Sequence, residues 1–438
     1  MDLFGTSGIR GKVPGKINPE IALKIGISVG KFADGSVVVG RDTRSSGEML
    51  VNSLKSGILS SGKDVINLGV VSTPITGFAV TELGADLGIT VTASHNPPSY
   101  NGFKFWNSDG SAFTEKQQKK IEELVRKDQS LSSWNEIGDE SSLNIFKSYK
   151  ASILDKIDIE DDYKVVVDPG NGSGYFSSFI QRELGNKVIT LNSDPSKEFS
   201  RSLEPTGDNL TDLSEAVRRT NADVGIAHDG DADRIGVVDS EGNFMNYDLM
   251  LALIAKYNSS KEFVTTVDAS MLLDKFLDVP VYRTKVGDVS VVQSIKGRGS
   301  DFGGEPSGTW IFPDWQLTPD GIFAGVKVIE LMDKVGKLSE IRKEVPNYST
   351  VREKVNCSDD KKSLVQAYIE ENVSDVFEFE NLRTIDGVRI ESNDYWVLFR
   401  PSGTEPVIRI TLEAENSAEV KNITKKSLNL VKRGLKEV

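Results

Sequence analysis

A run of β-branched residues ending in a carboxylate occurs three times in this chain, and the same two signals follow each copy. The runs are Val37-Val38-Val39-Gly40-Arg41-Asp42, Val165-Val166-Val167-Asp168 and Val264-Thr265-Thr266-Val267-Asp268. A second short strand pattern comes next, at residues 65–68, 188–191 and 281–284. The third signal is a small residue, Asp, an apolar residue and Gly: Ala85-Asp86-Leu87-Gly88, Ala222-Asp223-Val224-Gly225 and Ser300-Asp301-Phe302-Gly303. Each third element runs straight into a polar loop. Intervening segments have helical spacing; across residues 49–59, Leu50, Leu54 and Ile58 recur at intervals of four. Strands alternating with helices predict mixed or parallel sheets with helices on their faces. Ligands collect where loops leave the strand ends of such sheets. The copies are irregularly spaced, so they describe a triplicated α/β domain rather than a solenoid. Chance likeness among ordinary α/β units is the competing reading.

The pattern breaks near the C-terminus. Tyr395-Trp396-Val397-Leu398-Phe399 and Val407-Ile408-Arg409-Ile410-Thr411-Leu412 read as strands around a polar loop, and a charged helical stretch begins at Ser417. This predicts three α/β domains over residues 1–150, 151–250 and 251–348, then a smaller α+β domain over 349–438. A polar helix pattern at residues 115–127 and a loop at Asp139-Glu140-Ser141 mark the end of the first domain. Length agrees, since 438 residues correspond to about three or four domains.

Net charge is −13, which argues against non-specific binding to nucleic acid or an anionic membrane. No apolar run approaches the ~18 residues that span a bilayer. No basic segment followed by an apolar stretch opens the chain, which argues against a signal peptide. Cys357 is the only cysteine, which rules out an internal disulfide and points to the cytoplasm. Oligomeric state is not legible.

The loop after the third element of the second copy is Asp229-Gly230-Asp231-Ala232-Asp233-Arg234. Three carboxylates at alternate positions converge on one cation if the loop curls, and hard oxygen ligands suit Mg²⁺. Arg234 offsets part of the charge and can reach a phosphate. An EF-hand is excluded, because Arg234 stands at its glycine position and Ser240 at its terminal glutamate position. A solvated acidic turn is the plain alternative. Asp229-Gly230-Asp231 also resembles the nucleophile motif of haloacid-dehalogenase-like phosphatases, in which the first Asp is phosphorylated. Asp233 departs from the Thr or Val usual there.

In the first copy the loop is Thr92-Ala93-Ser94-His95-Asn96-Pro97. Adjacent strand residues point to opposite faces, so a Ser94–His95 dyad is not expected. His95 reads as a hydrogen-bonding organiser of the loop, and a metal-assisted phosphoserine is the more coherent role for Ser94. Arg10 and Lys104 are further cationic candidates. In the third copy, Glu305 and Ser307 can hold two vicinal sugar hydroxyls, with an ordinary turn as the plain alternative. In the last domain Arg400 offers a bidentate fork, Ser402 and Thr404 offer hydroxyls, and Gly403 permits a backbone nest for an anion. Arg409 falls on the polar side of the following strand and can join them.

These motifs, together with Gly5-Thr6-Ser7-Gly8-Ile9-Arg10-Gly11, resemble the α-D-phosphohexomutase family along essentially the whole chain. The resemblance implies four domains around a central cleft. It implies that Ser94 is phosphorylated and that Asp229, Asp231 and Asp233, with the serine phosphate, hold Mg²⁺. Glu305 and Ser307 match the sugar-hydroxyl loop, and Arg400, Ser402, Gly403 and Thr404 match the phosphate clamp. Arg10 and Lys104 match positions beside the phosphoserine, with Lys104 a candidate acid/base. Lys285 is a candidate substrate contact. The implied reaction moves phosphate between the 1- and 6-positions of a hexose or hexosamine monophosphate, through a hexose-1,6-bisphosphate that also serves as activator. One departure is Thr309, where many relatives have histidine. The start of the chain and residues 284–288 look most like the phosphoglucosamine mutase branch, with a broad phosphoglucomutase/phosphomannomutase as the alternative.

Overall fold

The computed structural model describes residues 3–5, 7–127, 130–157, 159–346, 348–403 and 405–438. Its strands fall into four sheets in chain order. The first holds β1 (Phe4–Gly5), β2 (Gly8–Lys12), β3 (Val37–Arg41), β4 (Val65–Val70), β5 (Leu87–Val91), β6 (Tyr100–Asn107) and β7 (Glu140–Ser142). The second holds β8 (Lys164–Asp168), β9 (Lys187–Thr190), β10 (Val224–His228) and β11 (Ile235–Asp239). The third holds β12 (Phe263–Thr266), β13 (Val281–Thr284), β14 (Phe302–Glu305) and β15 (Thr309–Ile311). The fourth holds β16 (Ser349–Asn356), β17 (Asn381–Arg383), β18 (Val388–Glu391), β19 (Tyr395–Pro401) and β20 (Val407–Ala414).

The threefold order read in the sequence is the order of pairing. In each of the first three sheets the carboxylate-ending strand lies centrally, parallel to the strands of the second and third signals. Thus β3 pairs with β4 and β5, β8 with β9 and β10, and β12 with β13 and β14. A fourth, antiparallel strand then pairs with the third: β6, β11 and β15. Helices on both faces cover the inner strands; every residue of β5, β10 and β12 is buried.

The helices Pro19–Phe32 and Gly47–Ser60 approach so closely that a Cβ on Gly26 would lie 2.1 Å from the Leu54 carbonyl oxygen. Gly26 and Gly57 are therefore fixed by packing.

The segment expected as a loop at residues 139–141 is instead edge strand β7, parallel to β4. All three of its residues are exposed. Backbone pairing and the bonds of Lys55 and Asn67 to the Glu140 carboxylate hold it, so it carries no hydrophobic alternation to read.

One hydrophobic core runs through the first three units, joining Ile75 and Phe78 to Tyr149 and Ile180 and on to Leu251 and Phe323. The antiparallel fourth unit has its own core beneath the helices Lys362–Asn372 and Ser417–Glu437. It meets the third through a small cluster of Val267, Met271, Trp396 and Leu398. Among the described residues no helix is long and apolar enough to cross a membrane.

Candidate active site

β5 delivers Ser94 into its loop, and β10 delivers Asp229 into the facing one. The two side chains meet: Ser94 Oγ donates to Asp229 Oδ2 at 2.6 Å. Both loops contain a non-glycine residue in the left-handed region, Ser94 at φ 51° and Ala232 at φ 57°. Such backbone persists only where its surroundings hold it. The conformation also corrects the expectation about His95. Ser94 has left the strand, so strand alternation no longer applies, and His95 Nδ1 lies 3.2 Å from Ser94 Oγ. The tautomer of the His95 ring sets which of these two atoms donates. Burial and the cations Arg234 and Arg10 push the His95 pKa down to about 2, so the ring is uncharged at neutral pH.

Asp229, Asp231 and Asp233 each present a carboxylate oxygen within 4.8 Å of the others'. Lys104, brought alongside by β6, bonds Asp231 Oδ2 at 2.7 Å and also bonds Asp233 Oδ2. That leaves Asp231 Oδ1 and Asp233 Oδ1 buried with no hydrogen-bond partner. Two orphaned anionic oxygens and a third carboxylate nearby fit a hard divalent cation.

Electrostatics separate Asp229 from Asp231. Burial, then Asp233 and Asp231, drives the Asp229 pKa well above the carboxylate range. Burial alone would raise Asp231 too, but Lys104 and the Thr73 hydroxyl hold it below the usual value. The same acids overcome burial at Lys104 and raise its pKa, so it stays an ammonium. Arg10 Nη1 lies 3.5 Å from Asn96 Oδ1 and its Nε has no partner. Arg234 is raised, burial being outweighed by Asp229 and Asp233.

Sequence reading missed Thr73. Its hydroxyl donates to Asp231 Oδ2 at 2.6 Å and its N–H to the Asp231 carbonyl at 2.8 Å. Ser72-Thr73-Pro74 marks a helix start, but nothing local says that this start braces a loop 158 residues away.

In the third unit Glu305 ends β14 and accepts the Gly287 N–H at 2.8 Å. Ser307 and Thr309 share a hydrogen bond at 3.1 Å, and Thr309 bridges Arg234 of the second unit. Lys285 is exposed. Burial, with Asp288 and Asp268 nearby, pushes Glu305 up to about 8. The folded chain thus keeps a proton that the unfolded chain loses near 4.5, so stability falls as pH rises through that window. Glu305→Gln is expected to flatten the decline in melting temperature between about pH 5 and pH 8; an unchanged slope would contradict it.

In the fourth unit Arg400 and Arg409 stand directly opposite on β19 and β20, and Lys354 on β16 faces Arg409. Like charges side by side are unfavourable without an anion. Glu405 supplies one here, 2.7 Å from Arg409 and 3.0 Å from Lys354. Lys362 bonds the carbonyls of Ser402 and Glu405. Ser402 Oγ accepts the Glu405 N–H at 3.2 Å, and a Cβ on Gly403 would meet open space. Thr404 lies outside the described residues.

Asp386, also missed, accepts from Arg400 Nε at 2.8 Å and from the Val286 N–H at 3.1 Å. It ties the Arg400 loop to the segment carrying Lys285. Asp386-Gly387 reads locally as a turn, which hides this role.

Three α/β units and an antiparallel fourth, with a serine set against three aspartates and an arginine-rich loop in the last unit, fit an enzyme that handles sugar phosphates. Family comparison is specific. Models described as phosphoglucomutase/phosphomannomutase match in chain order: alpha/beta/alpha domain I over residues 1–132, domain II over 147–242, domain III over 246–348 and the C-terminal domain over 353–429. The chain belongs to the phosphoglucomutase/phosphomannomutase family.

A Pyrococcus furiosus protein named "Probable phosphoglucosamine mutase" is 50% identical, the match covering 99% of this chain and 98% of that protein. A protein of the same name from Methanothermobacter thermautotrophicus is 45% identical over 96% of each. The crystal structure of a phosphoglucomutase/phosphomannomutase family protein from Burkholderia thailandensis superposes with TM-score 0.87 at 27% identity. That match covers 99% of this chain and 97% of that one.

Proposed function

We propose that this chain is a phosphoglucosamine mutase that works through phospho-Ser94. The observation that carries the reading is the Ser94 Oγ–Asp229 contact, which sets a hydroxyl against a three-carboxylate cluster with two orphaned oxygens. Asp229, Asp231 and Asp233, with the serine phosphate, would hold Mg²⁺, which would neutralise charge on the transferring phosphoryl group.

In the first half-reaction the P–O bond to Ser94 breaks as one forms to the free hydroxyl of the sugar monophosphate. Phosphoryl transfer runs through a loose transition state that leans on positioning and charge more than on a strong base. That suits a site where burial leaves His95 a weak base and Thr309 stands where many relatives have histidine. Lys104, held as an ammonium, is the acid beside the departing serine oxygen, and Arg10 and Arg234 neutralise phosphoryl oxygens. Arg400, Ser402, Gly403, Thr404 and Arg409 clamp the non-reacting phosphate, and Glu305, Ser307 and Lys285 hold the sugar. The hexose-1,6-bisphosphate then reverses in the cleft and returns its other phosphate to Ser94. Added bisphosphate activates by phosphorylating Ser94. The four domains are assigned to residues 1–150, 151–250, 251–348 and 349–438, and the cytoplasm, where free sugar phosphates are found, is the assigned compartment.

The names of the similar proteins support the amino sugar. The test compares kcat/KM for glucosamine-6-phosphate, glucose-1-phosphate and mannose-1-phosphate, with Mg²⁺ and bisphosphate present. A strong preference for the amino sugar is expected. Equal or better rates with glucose or mannose would make this a general phosphohexomutase.

A further inference from the structure

The carboxylate that ends the central strand of the first unit is not absorbed by the reaction above. Asp42 follows β3 and Thr92 follows β5. The two strands are parallel neighbours with Arg41 opposite Val91, so Asp42 and Thr92 lie side by side. Asp42 Oδ2 accepts from the Thr92 hydroxyl at 2.7 Å, and that hydroxyl oxygen accepts the Ser94 N–H at 2.9 Å. Asp42 Oδ2 also pairs with Arg44 Nε at 2.9 Å, both side chains being fully buried.

A guanidinium has five N–H donors, and Arg44 places all of them. Nε goes to Asp42. Nη1 goes to the carbonyls of Pro97 at 2.8 Å and Tyr100 at 3.0 Å, and Nη2 to those of Ser94 at 2.7 Å and Asn96 at 2.8 Å. Ser94 is therefore held at both ends, its N–H through Thr92 and its carbonyl by Arg44, and between those points its backbone is left-handed. No other role in the site uses these groups. The second unit repeats the device on the facing loop. There Arg201 pairs with Asp168 at 2.9 Å and donates to the carbonyl of His228, the residue before Asp229, at 2.9 Å.

We propose that Arg44, with Asp42 and Thr92, is the positioning residue of the phosphoryl-transfer step: it holds Ser94 in its left-handed conformation and so fixes the direction of Oγ toward Asp229. The inference rests on the phosphoserine reading of Ser94. Lysine cannot replace Arg44, since a three-donor point charge cannot span four carbonyls and a carboxylate. Thr92 carries the same constraint through one hydroxyl, which serine retains and valine lacks.

The test labels the parent enzyme, Arg44→Ala, Arg44→Lys, Thr92→Val and Thr92→Ser from a hexose-1,6-bisphosphate, then follows single-turnover labelling of Ser94 and steady-state kinetics. Misplacement of a reacting atom by about 1 Å costs on the order of 100-fold, so losses of that size in kcat and labelling rate are expected for Arg44→Ala, Arg44→Lys and Thr92→Val. KM should stay within about twofold of the parent value, because the substrate's clamp lies in the fourth unit. Thr92→Ser should restore the rate, and millimolar guanidinium should partly rescue Arg44→Ala.

Should the arginine variants fail to fold, the Thr92→Val and Thr92→Ser pair decides. Rates within roughly threefold of the parent value, with only the melting temperature lowered, would overturn the proposal and leave a structural brace. Label found on a residue other than Ser94 in the parent enzyme would instead remove the phosphoserine reading, and this inference with it.

Discussion

Ser94→Ala is expected to lower turnover by at least roughly 10³-fold, the scale seen when an enzyme loses its covalent nucleophile. Three facts support so large an effect. Ser94 is 1% exposed, and its hydroxyl is the group aimed at the carboxylate cluster, 2.6 Å from Asp229. Its backbone also sits in a conformation a serine rarely adopts. Binding of the sugar monophosphate should change little, since the proposed clamp is built from Arg400, Arg409 and their neighbours. Measuring kcat and substrate affinity separately checks both halves. Retention of more than about a tenth of parent turnover would contradict the role given to Ser94.

Lys104→Met should damage both stability and activity. The ammonium is 4% exposed and pairs with Asp231 and Asp233, themselves buried. Removing one partner of a buried ion pair costs about 3–5 kcal/mol, because charge is left uncompensated. Lys104 is raised in the folded chain, so its pairing is fully present below the ordinary lysine value and is lost only as pH rises through the higher folded one. At neutral pH the whole effect should therefore be visible. Turnover should fall by about 10²–10⁴-fold if Lys104 is the acid of the transfer step. Mg²⁺ should raise the melting temperature of the variant more than that of the parent, since a cation on the three carboxylates offsets the missing charge. An unchanged melting temperature without metal would contradict the pairing.

How far the sequence reading reaches depends on where the information lies. The strand order of three units is legible because runs such as Val165-Val166-Val167 are buried on both faces and announce themselves. The acidic cluster is legible because Asp229, Asp231 and Asp233 stand at alternate positions of one short loop. Contacts between units are not. Ser94 and Asp229 are 135 residues apart, as Thr73 and Asp231 are 158, and no local pattern encodes either pairing. The dyad argument failed for a definable reason: alternation assumes a strand, and Ser94 at φ 51° has already left one. β7 escaped because backbone hydrogen bonds hold it without any buried side chain. Asp42 is legible as the carboxylate that ends the first β-branched run, whereas nothing local marks Arg44. That they grip the serine loop depends on the β3–β5 register, which only the assembled sheet supplies.

The chemistry of the phosphoenzyme tests the central claim most directly. The enzyme is treated with labelled hexose-1,6-bisphosphate and Mg²⁺, exposed to hydroxylamine, and the labelled residue is located by peptide mapping. Phosphate on Ser94 that survives hydroxylamine is the expected result, since a serine ester resists that nucleophile. Label on Asp229 that hydroxylamine removes would contradict the account and make this an aspartyl-phosphate enzyme.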